Sequence, residues 1–314
     1  MMLVVENLTK KFKKTMAVDR LCMEIPRGEI YGFVGANGAG KTTTMRIIAG
    51  LLAPTSGKVY IDGLNFFRDP LKVKGRIGYM PDFFGVYNDL KVSEYMEFYG
   101  GLQGIYGEKC RELTDSLLEL VRLTHKRDAY VDTLSRGMKQ RLCLARSLIH
   151  DPDFLILDEP ASGLDPRARV EMKEILKELR TMGKTVLISS HILPELAELC
   201  TSIGIIDSGR LVASGSVAEI TEKMYQSGLI KIKVAEKEEE AVKILMEMPE
   251  VGELSSVAGV IEIKVSGGEE TSVRVLKTLV ENEIPVVSFH PEECSLEAVF
   301  MSLTERSSEN ENNQ

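Results

Sequence analysis

The sequence contains no uninterrupted apolar segment approaching the roughly 18 residues needed to cross a lipid bilayer. Residues 1–14 also lack the apolar core of a signal peptide. We therefore expect a chain that does not span a membrane by itself. Its five cysteines are odd in number, far apart and without a Cys-x-x-Cys pair, so the sequence indicates neither a disulfide framework nor a zinc site. Reduced thiols in the cytoplasm are the expectation.

An excess of positive charge is also missing, because the formal net charge is −8 at pH 7. This balance gives no general attraction to nucleic acid, so we expect no nucleic-acid partner. The 314 residues include 44% apolar and 27% charged residues, which is typical of a globular chain. Their number favours one large domain and a smaller one, and the sequence contains no evident internal repeat.

One glycine-rich stretch fits the pattern G-x-x-x-x-G-K-[ST] at every fixed position and directly follows the apolar run 30–34. Glycines let a backbone wrap closely around an anion, while its N–H groups and the N-terminus of the next helix attract phosphate. We expect Lys41 to neutralise the β- and γ-phosphate oxygens of a nucleoside triphosphate and Thr42 to hold Mg²⁺. Apolar residues at helical spacing from Met45 to Leu51 disfavour an ordinary glycine-rich turn. The predicted phosphate-binding residues are Gly35, Ala36, Asn37, Gly38, Ala39, Gly40, Lys41, Thr42 and Thr43.

Two further apolar runs end in polar residues. The run Phe154–Leu157 precedes Asp158 and Glu159, and the run Thr185–Ile188 ends shortly before His191. Continuous apolar runs are typical of strands covered on both faces of a parallel sheet, and such sheets bind ligands at the carboxyl ends of their strands. We therefore expect these polar groups on one rim, with Asp158 binding Mg²⁺ directly or through water. Taken alone, His191 would be interpreted as structural, because a histidine after a buried strand is more often a satisfied core residue than a catalyst.

The remaining pattern of the first domain, residues 1–222, predicts an α/β fold. Edge strands at 3–8 and 17–25, joined by a lysine-rich turn, and a hairpin near residues 58–63 predict an antiparallel β subdomain. Apolar spacing from residue 90 to residue 150 predicts a helical insert. The predicted fold is a P-loop NTPase with a mixed central sheet, closed by a hairpin near residues 203–213.

Phe12 stands alone in the lysine-rich turn. A lone exposed aromatic is often only partly packed, yet an adenine ring needs a flat stacking partner of this kind. Both alternatives stay open, and we include Phe12 among the predicted nucleotide contacts.

The second domain, residues 227–304, reads as strand, helix, strand, strand, helix, strand. Two of its strands alternate apolar and charged residues, at 230–234 and 261–265. This order predicts a small α+β unit of the ferredoxin-like type. Residues 305–314 are too polar to bury a core, so we expect a disordered tail.

With Lys41, Asp158 and Glu159 identified, residues 2–222 resemble the ATP-binding subunit of ABC transporters. The stretch 134–140, Leu-Ser-Arg-Gly-Met-Lys-Gln, is similar to the family signature L-S-G-G-Q, from which Arg136 and Met138 depart. The stretch 162–165, Ser-Gly-Leu-Asp, matches the D-loop of the family, and His191 matches its switch histidine.

This resemblance implies further roles. Ser135 and Gly137 of the signature would contact the γ-phosphate of ATP held by the opposite subunit, and Asp165 of the D-loop would link the two sites. Glu159 would be the catalytic base that polarises the attacking water, and His191 would sense the γ-phosphate. Together with Lys41, these two residues form the predicted catalytic set.

One departure from the family pattern lies at Asp82, where the family normally has the glutamine of the Gln-loop. A shorter anionic group at this place would hold Mg²⁺ directly or reach it through water. The apolar residues that follow, from Phe83 to Tyr87, either pack under the helical insert or form the surface that receives a coupling helix from a membrane partner.

The resemblance predicts an ATPase that powers a separate integral-membrane permease, with two copies of the chain closing head to tail around two Mg²⁺-ATP molecules. Such a subunit would lie at the inner face of the cell membrane. The short second domain, ending in the stretch 295–300, resembles subunits of bacterial export systems for antibiotics and other drugs. The alternative is a soluble family member that acts on DNA or the ribosome, although no coiled-coil or zinc insertion and no second ATPase domain is present.

Overall fold

The computed structural model describes residues 1–83, 85, 87, 89–220, 227–257, 259–266 and 268–292. The chain divides into two compact units, Met1–Gly215 and Ser216–Gln314. The predicted domain limits at 222 and 227 border residues 221–226, which lie outside the described residues, as does the predicted tail at 305–314.

An antiparallel sheet begins the first unit, with the strand order β2-β1-β4-β5. It confirms the predicted β subdomain, but the first hairpin is longer than expected. Phe12 is not in a turn: it ends β1 and pairs with Thr15, so the turn shrinks to Lys13 and Lys14. Beyond Thr9, β1 pairs only with β2, so Lys11, Lys13 and Lys14 at the tip of the hairpin are exposed to water. The strands are β1 (Leu3–Phe12), β2 (Thr15–Ile25), β4 (Ser56–Ile61) and β5 (Leu64–Asn65).

The central sheet is six-stranded within the described part of the chain, with the order β10-β9-β3-β8-β7-β6. Neighbours from β9 through β3, β8 and β7 to β6 are parallel. Because only Ser208 and Gly209 connect β9 to β10, that pair closes the sheet as a hairpin, which makes the sheet mixed as predicted. The strands are β3 (Ile30–Val34), β6 (Ile77–Met80), β7 (Phe154–Leu157), β8 (Thr185–Ser190), β9 (Ser202–Asp207) and β10 (Arg210–Ser216).

Helices connect these strands, and the predicted insert between residues 90 and 150 is helical. Two helix starts carry clear caps: the N–H of Met138 donates to the hydroxyl of Ser135, and the N–H of Ala168 donates to the carboxylate of Asp165. The helices are α1 (Lys41–Ile48), α2 (Pro70–Lys74), α3 (Val92–Leu102), α4 (Gly107–Leu120), α5 (Arg136–Ser147), α6 (Pro166–Thr181) and α7 (Leu193–Ala197).

The core of the first unit follows from the apolar runs. All residues of β3 and of β7 are buried, as expected for strands with both faces covered. The buried side of α1, with Met45, Ile47 and Ile48, packs into the same core. Among the residues that the structure describes, no helix combines the length and the apolar character needed to span a membrane.

The second unit confirms the ferredoxin-like order of elements, with the strand order β12-β13-β11-β14. Its core joins the apolar faces of the central strands, including Ile230, Ile232 and Ile263, to Leu245 and Leu279 of the two helices. Lys231 and Glu262 face each other across β11 and β13. The elements are β11 (Ser227–Val234), α8 (Glu238–Met246), β12 (Val251–Val257), β13 (Val260–Ser266), α9 (Gly268–Glu281) and β14 (Val286–Glu292).

Separate cores lead to a prediction for truncation. We expect a chain ending at Lys223 to fold cooperatively and to bind ATP within about threefold of the full-length affinity, because each unit buries its own apolar cluster. Circular dichroism and nucleotide titration would measure this, with Lys41→Ala in the truncated chain as the control that abolishes binding. A folded, monodisperse fragment that no longer binds ATP would contradict it.

Candidate functional site

The loop from Gly35 to Gly40 joins β3 to α1 and has the backbone that its glycines require. Gly38 and Gly40 have φ of 88° and 108°, in the left-handed region that glycine favours. A Cβ on Gly40 would lie 2.4 Å from the carbonyl oxygen of Ala17, so the loop passes directly against β2. Bare backbone followed at once by a helix N-terminus is a binding arrangement for phosphate groups.

Lys41 is 5% exposed and lies at the base of this loop. Its ammonium group donates to the carbonyl oxygens of Gly35 at 2.6 Å and Ala36 at 3.2 Å, and it lies 3.6 Å from the carboxylate of Glu159. Burial lowers the pKa of Lys41, while the negative charges of Glu159 and Asp158 oppose that shift. The side chain is therefore held as an incompletely compensated cation beside the loop.

Asp158, at the end of β7, is 1% exposed. The hydroxyl of Ser189 donates to its Oδ1 at 2.7 Å and accepts the N–H of Glu159 at 2.9 Å. The other carboxylate oxygen of Asp158, Oδ2, is buried without a hydrogen-bond partner among the described residues. A buried carboxylate oxygen with free lone pairs is costly unless a cation or water satisfies it. Ser189 itself was not predicted, although a serine at the carboxyl end of a buried strand, shortly before His191, was a usable signal.

Glu159 presents its carboxylate to two groups. Its Oε2 lies 2.9 Å from Nδ1 of His191, which follows β8, and its Oε1 faces the ammonium group of Lys41. Its backbone φ of 48° is uncommon for a residue with a side chain. This conformation turns the chain sharply at the end of β7 and aims the carboxylate along the rim of the sheet.

These side chains border an open cavity of about 360 Å³. The cavity joins residues of the phosphate loop to Asp82, Glu159 and His191. Of the residues predicted on one rim, Glu159 and His191 line it, whereas Asp158 is buried and does not. The lining residues are Ala17, Asn37, Gly38, Gly40, Lys41, Thr42, Thr43, Asp82, Glu159, Ser162 and His191.

Phe12 is not among the residues that line this cavity. It is exposed at the end of β1, where the ammonium group of Lys10 lies 4.9 Å from the centre of its ring. Ala17 of the same hairpin does reach the cavity wall. The role predicted for Phe12 therefore stays a prediction.

Ser135, Gly137 and Asp165 form a second group, at the starts of α5 and α6. A Cβ on Gly137 would lie 2.9 Å from the Cβ of Ala168, so glycine allows the two helix starts to approach. The guanidinium group of Arg136, the residue that departs from the signature pattern, lies against Gly163 of the D-loop: a Cβ built there would be 2.6 Å from it. Within one copy of the chain, the predicted signature residues thus lie apart from the cavity.

The apolar loop after Asp82 is partly described. Phe83 is 91% exposed and does not pack under the helical insert, whereas the ring of Tyr87 meets the ring of Phe98 on α3 edge-on at 5.4 Å. Phe84 and Val86 lie outside the described residues. These exposed aromatic rings beside the insert remain compatible with the other alternative, a surface that receives a coupling helix from a membrane partner.

The residues at the rim fit a magnesium ion. The Oδ2 atom of Asp158 needs a partner, and Thr42 and Asp82 of the cavity wall add further oxygen atoms. Burial raises the pKa of Tyr79, on β6, to about 12, and the charges of Asp158 and Asp82 contribute to that shift. In the described part of the chain no three His, Cys, Asp or Glu residues group as a metal cluster. Mg²⁺ commonly needs only one or two protein carboxylates when phosphates supply the rest.

A phosphate loop, a buried cation and two carboxylates on the rim of a parallel sheet define a nucleoside triphosphatase of the P-loop class. Two family models match the chain: "ABC transporter" at residues 18–162 and "ATP-binding protein DrrA1-3-like, C-terminal domain" at residues 215–304. The chain belongs to the ABC transporter family, as an ATP-binding subunit with ATPase activity.

Named relatives agree with this assignment. The chain is 40% identical over 218 residues to a Nod factor export ATP-binding protein I of Ralstonia nicotianae, covering 69% of this chain and 68% of the relative. It is 30% identical to the linearmycin resistance ATP-binding protein LnrL of Bacillus subtilis, covering 97% and 99% of the two chains. A dimeric ATP-binding cassette in a post-hydrolysis state with ADP and Pi superposes with a TM-score of 0.63 at 26% identity, covering 69% of this chain and 99% of that chain.

The unpredicted Ser189 generates a prediction. Ser189→Ala removes the hydrogen bond to Asp158 and the acceptor for the N–H of Glu159, so we expect kcat for ATP to fall about tenfold and the free energy of unfolding to fall by about 1–3 kcal/mol. Ser147→Ala is the matched control, because that buried hydroxyl donates to a carbonyl within α5, away from the cavity. It should lose stability only. Equal kcat for both variants in steady-state assays would refute a role for Ser189 at the site.

Proposed function

We propose that this chain hydrolyses ATP to drive export through a separate integral-membrane permease at the inner face of the cell membrane. One observation supports the proposed hydrolytic site: Lys41, Glu159 and His191 line the same cavity and contact one another through Glu159. The observation that carries export is the similarity over nearly the whole chain to a linearmycin resistance ATP-binding protein, together with that to a Nod factor export protein.

In this proposal the phosphate loop binds the β- and γ-phosphates of ATP. The ammonium group of Lys41 already lies at the base of the loop and would turn from the carbonyls of Gly35 and Ala36 to phosphate oxygens. Anionic phosphate oxygens are stronger partners for the ammonium group of Lys41 than neutral carbonyl oxygens are. Because burial of this cation is only partly compensated by its present partners, the exchange would favour the binding of ATP. The residues Asn37, Gly38, Ala39, Gly40, Thr42 and Thr43 complete the proposed phosphate site.

Thr42, Asp158 and Asp82 are the proposed holders of Mg²⁺, and Phe12 is the proposed stacking partner of adenine. Bound Mg²⁺ would offset the negative charge that develops on the transferred phosphoryl group. Ser189 keeps one oxygen of Asp158 occupied, which leaves the buried Oδ2 as the oxygen available to the metal or its water. Asp82 adds a charge where the family pattern has an amide.

Glu159 is the proposed general base. Its carboxylate would orient the attacking water and take its proton while the bond between the γ-phosphorus and the bridging oxygen breaks, which releases ADP and phosphate. The contact of 2.9 Å with Nδ1 of His191 restricts the rotation of this carboxylate. We infer that His191 both orients Glu159 and contacts the γ-phosphate.

The signature residues act, in this proposal, on a second copy of the chain. Ser135 and Gly137 at the start of α5, with Asp165 in the D-loop, lie outside the cavity of their own copy. Head-to-tail pairing would bring the positive end of α5 and the Ser135 hydroxyl to the γ-phosphate of the partner. The dimeric state of the similar cassette with ADP and Pi supports this arrangement.

The second unit, proposed as residues 227–304, would tune dimer closure or the choice of permease. It matches the model of a DrrA1-3-like C-terminal domain and contains a core of its own. We place no residue of this unit in the proposed ATP site.

The first test concerns the base. Glu159→Gln keeps the shape of the side chain but removes its capacity to take a proton, so we expect hydrolysis to fall at least about a hundredfold while ATP affinity stays within about threefold. The variant should accumulate as an ATP-dependent dimer in size-exclusion chromatography. Glu174→Gln, which only weakens an exposed ion pair with Arg122, is the control. Normal turnover in Glu159→Gln would remove Glu159 from the mechanism.

The second test concerns Asp82. Asp82→Gln removes a negative charge beside the proposed metal site, so the Mg²⁺ concentration for half-maximal ATPase activity should rise by about threefold or more. Asp89→Asn, in the same connection but not among the residues lining the cavity, should leave the Mg²⁺ curve in place. An unchanged curve for Asp82→Gln, combined with lost stimulation by the permease, would make Asp82 a transmission residue instead.

A further inference from the structure

Arg169, on the second turn of α6, contacts both chain segments that follow the proposed catalytic residues. One of its terminal nitrogens donates to the carboxylate of Glu195 at 2.5 Å, and the other donates to the carbonyl oxygen of Leu164 at 3.2 Å. Leu164 belongs to the loop that begins at Glu159, and Glu195 belongs to α7, which begins two residues after His191. The guanidinium group therefore connects the two segments without lining the cavity over the phosphate loop.

A cavity of about 150 Å³ lies between the loop after Glu159, the segment after His191 and the side of α6. Its walls include Pro160, Gly163, Ile192 and Leu196. A cavity at this place reduces the share of the contact between the segments that close packing supplies. The polar contacts around it include the one between Glu159 and His191 at 2.9 Å and the bridge through Arg169. The N–H of Glu159, which donates to Ser189, and the pair Lys173–Glu198 add others.

We propose that Arg169 is a positioning residue for ATP hydrolysis, which fixes the distance between Glu159 and His191 by tying the carbonyl of Leu164 to the carboxylate of Glu195. This inference rests on the catalytic roles proposed above for Glu159 and His191. It deepens them by naming a group that contributes to their separation, although Arg169 does not line the cavity over the phosphate loop.

The character of the bridge supports a geometric role. The side chains of Arg169 and Glu195 are 34% and 17% exposed, and Nε of Arg169 is buried without a hydrogen-bond partner among the described residues. A partly desolvated guanidinium with one unsatisfied donor contributes little net stability, so the main effect expected of this bridge is the geometry that it imposes. The rigid fork of arginine can hold two acceptors at a fixed separation, whereas the single ammonium group of lysine cannot.

The test uses the full-length chain with Mg²⁺-ATP. Arg169→Met should lower kcat by roughly tenfold to a hundredfold with KM within about threefold, because a displacement near 1 Å in a catalytic pair costs rate and not substrate binding. Arg169→Lys should recover only part of the loss. Lys173→Met is the matched control: Lys173 lies one turn further along α6 and pairs with Glu198 at 2.7 Å instead of Glu195. Its kcat should stay within about twofold of the wild-type value.

Two further measurements separate positioning from a structural effect. The charge exchange Arg169→Glu with Glu195→Arg should recover at least about tenfold in kcat over Arg169→Glu alone, because it restores the bridge in reverse. In single-turnover assays on the His191→Ala background, Arg169→Met should add less than about a twofold loss, since the group to be positioned is already absent.

A wild-type kcat in Arg169→Met, an equal loss in Lys173→Met, no recovery on charge exchange or a full further loss in the His191→Ala background would each overturn the inference. If Glu159→Gln retains wild-type turnover, the proposed catalytic pair itself fails. If Glu159→Gln is inactive and Arg169→Met is not impaired, only the role of Arg169 fails.

Discussion

The site depends on two buried side chains of opposite charge, Lys41 and Asp158, kept at the carboxyl edge of the central sheet. Moving such groups out of water costs several kcal/mol each unless partners replace the lost hydration. Backbone carbonyls replace it in part for Lys41, and a single hydroxyl does so for Asp158. The two side chains thus present opposite charges that an anion with its bound cation would satisfy.

Strand register explains why these charges lie near each other. In the parallel sheet, Gly32 of β3 and Leu157 of β7 both align with Ile188 of β8. The three strands therefore end at a similar height, and the phosphate loop, Asp158 and Ser189 emerge side by side although they are far apart in sequence. Because β8 lies between β3 and β7, its last residues are the ones able to bridge the two carboxylates and the loop.

Much of this arrangement could be predicted from local pattern. The phosphate loop and the apolar runs before Asp158 and His191 are contiguous signals, and the alternating strands of the second unit gave its order of elements. Hydrogen-bond partners were harder to predict from the sequence. The role of Ser189, for example, depends on the alignment of β8 with β7, which no single segment encodes. The extent of the first hairpin was also missed, since lysine, although less common in strands, is found on exposed ones. The bridge through Arg169 joins segments whose separation only the folded chain sets.

The left-handed backbone of Glu159, with φ of 48°, has a consequence for the evolution of this position. A residue with a side chain costs about 1 kcal/mol or more in that region, whereas glycine adopts it freely. Selection for folding stability alone would therefore favour glycine or asparagine at this position, whereas the general base proposed for it requires a carboxylate. Lineages that lose the need for hydrolysis but keep nucleotide binding would be expected to drift towards these residues and to gain stability as they do so.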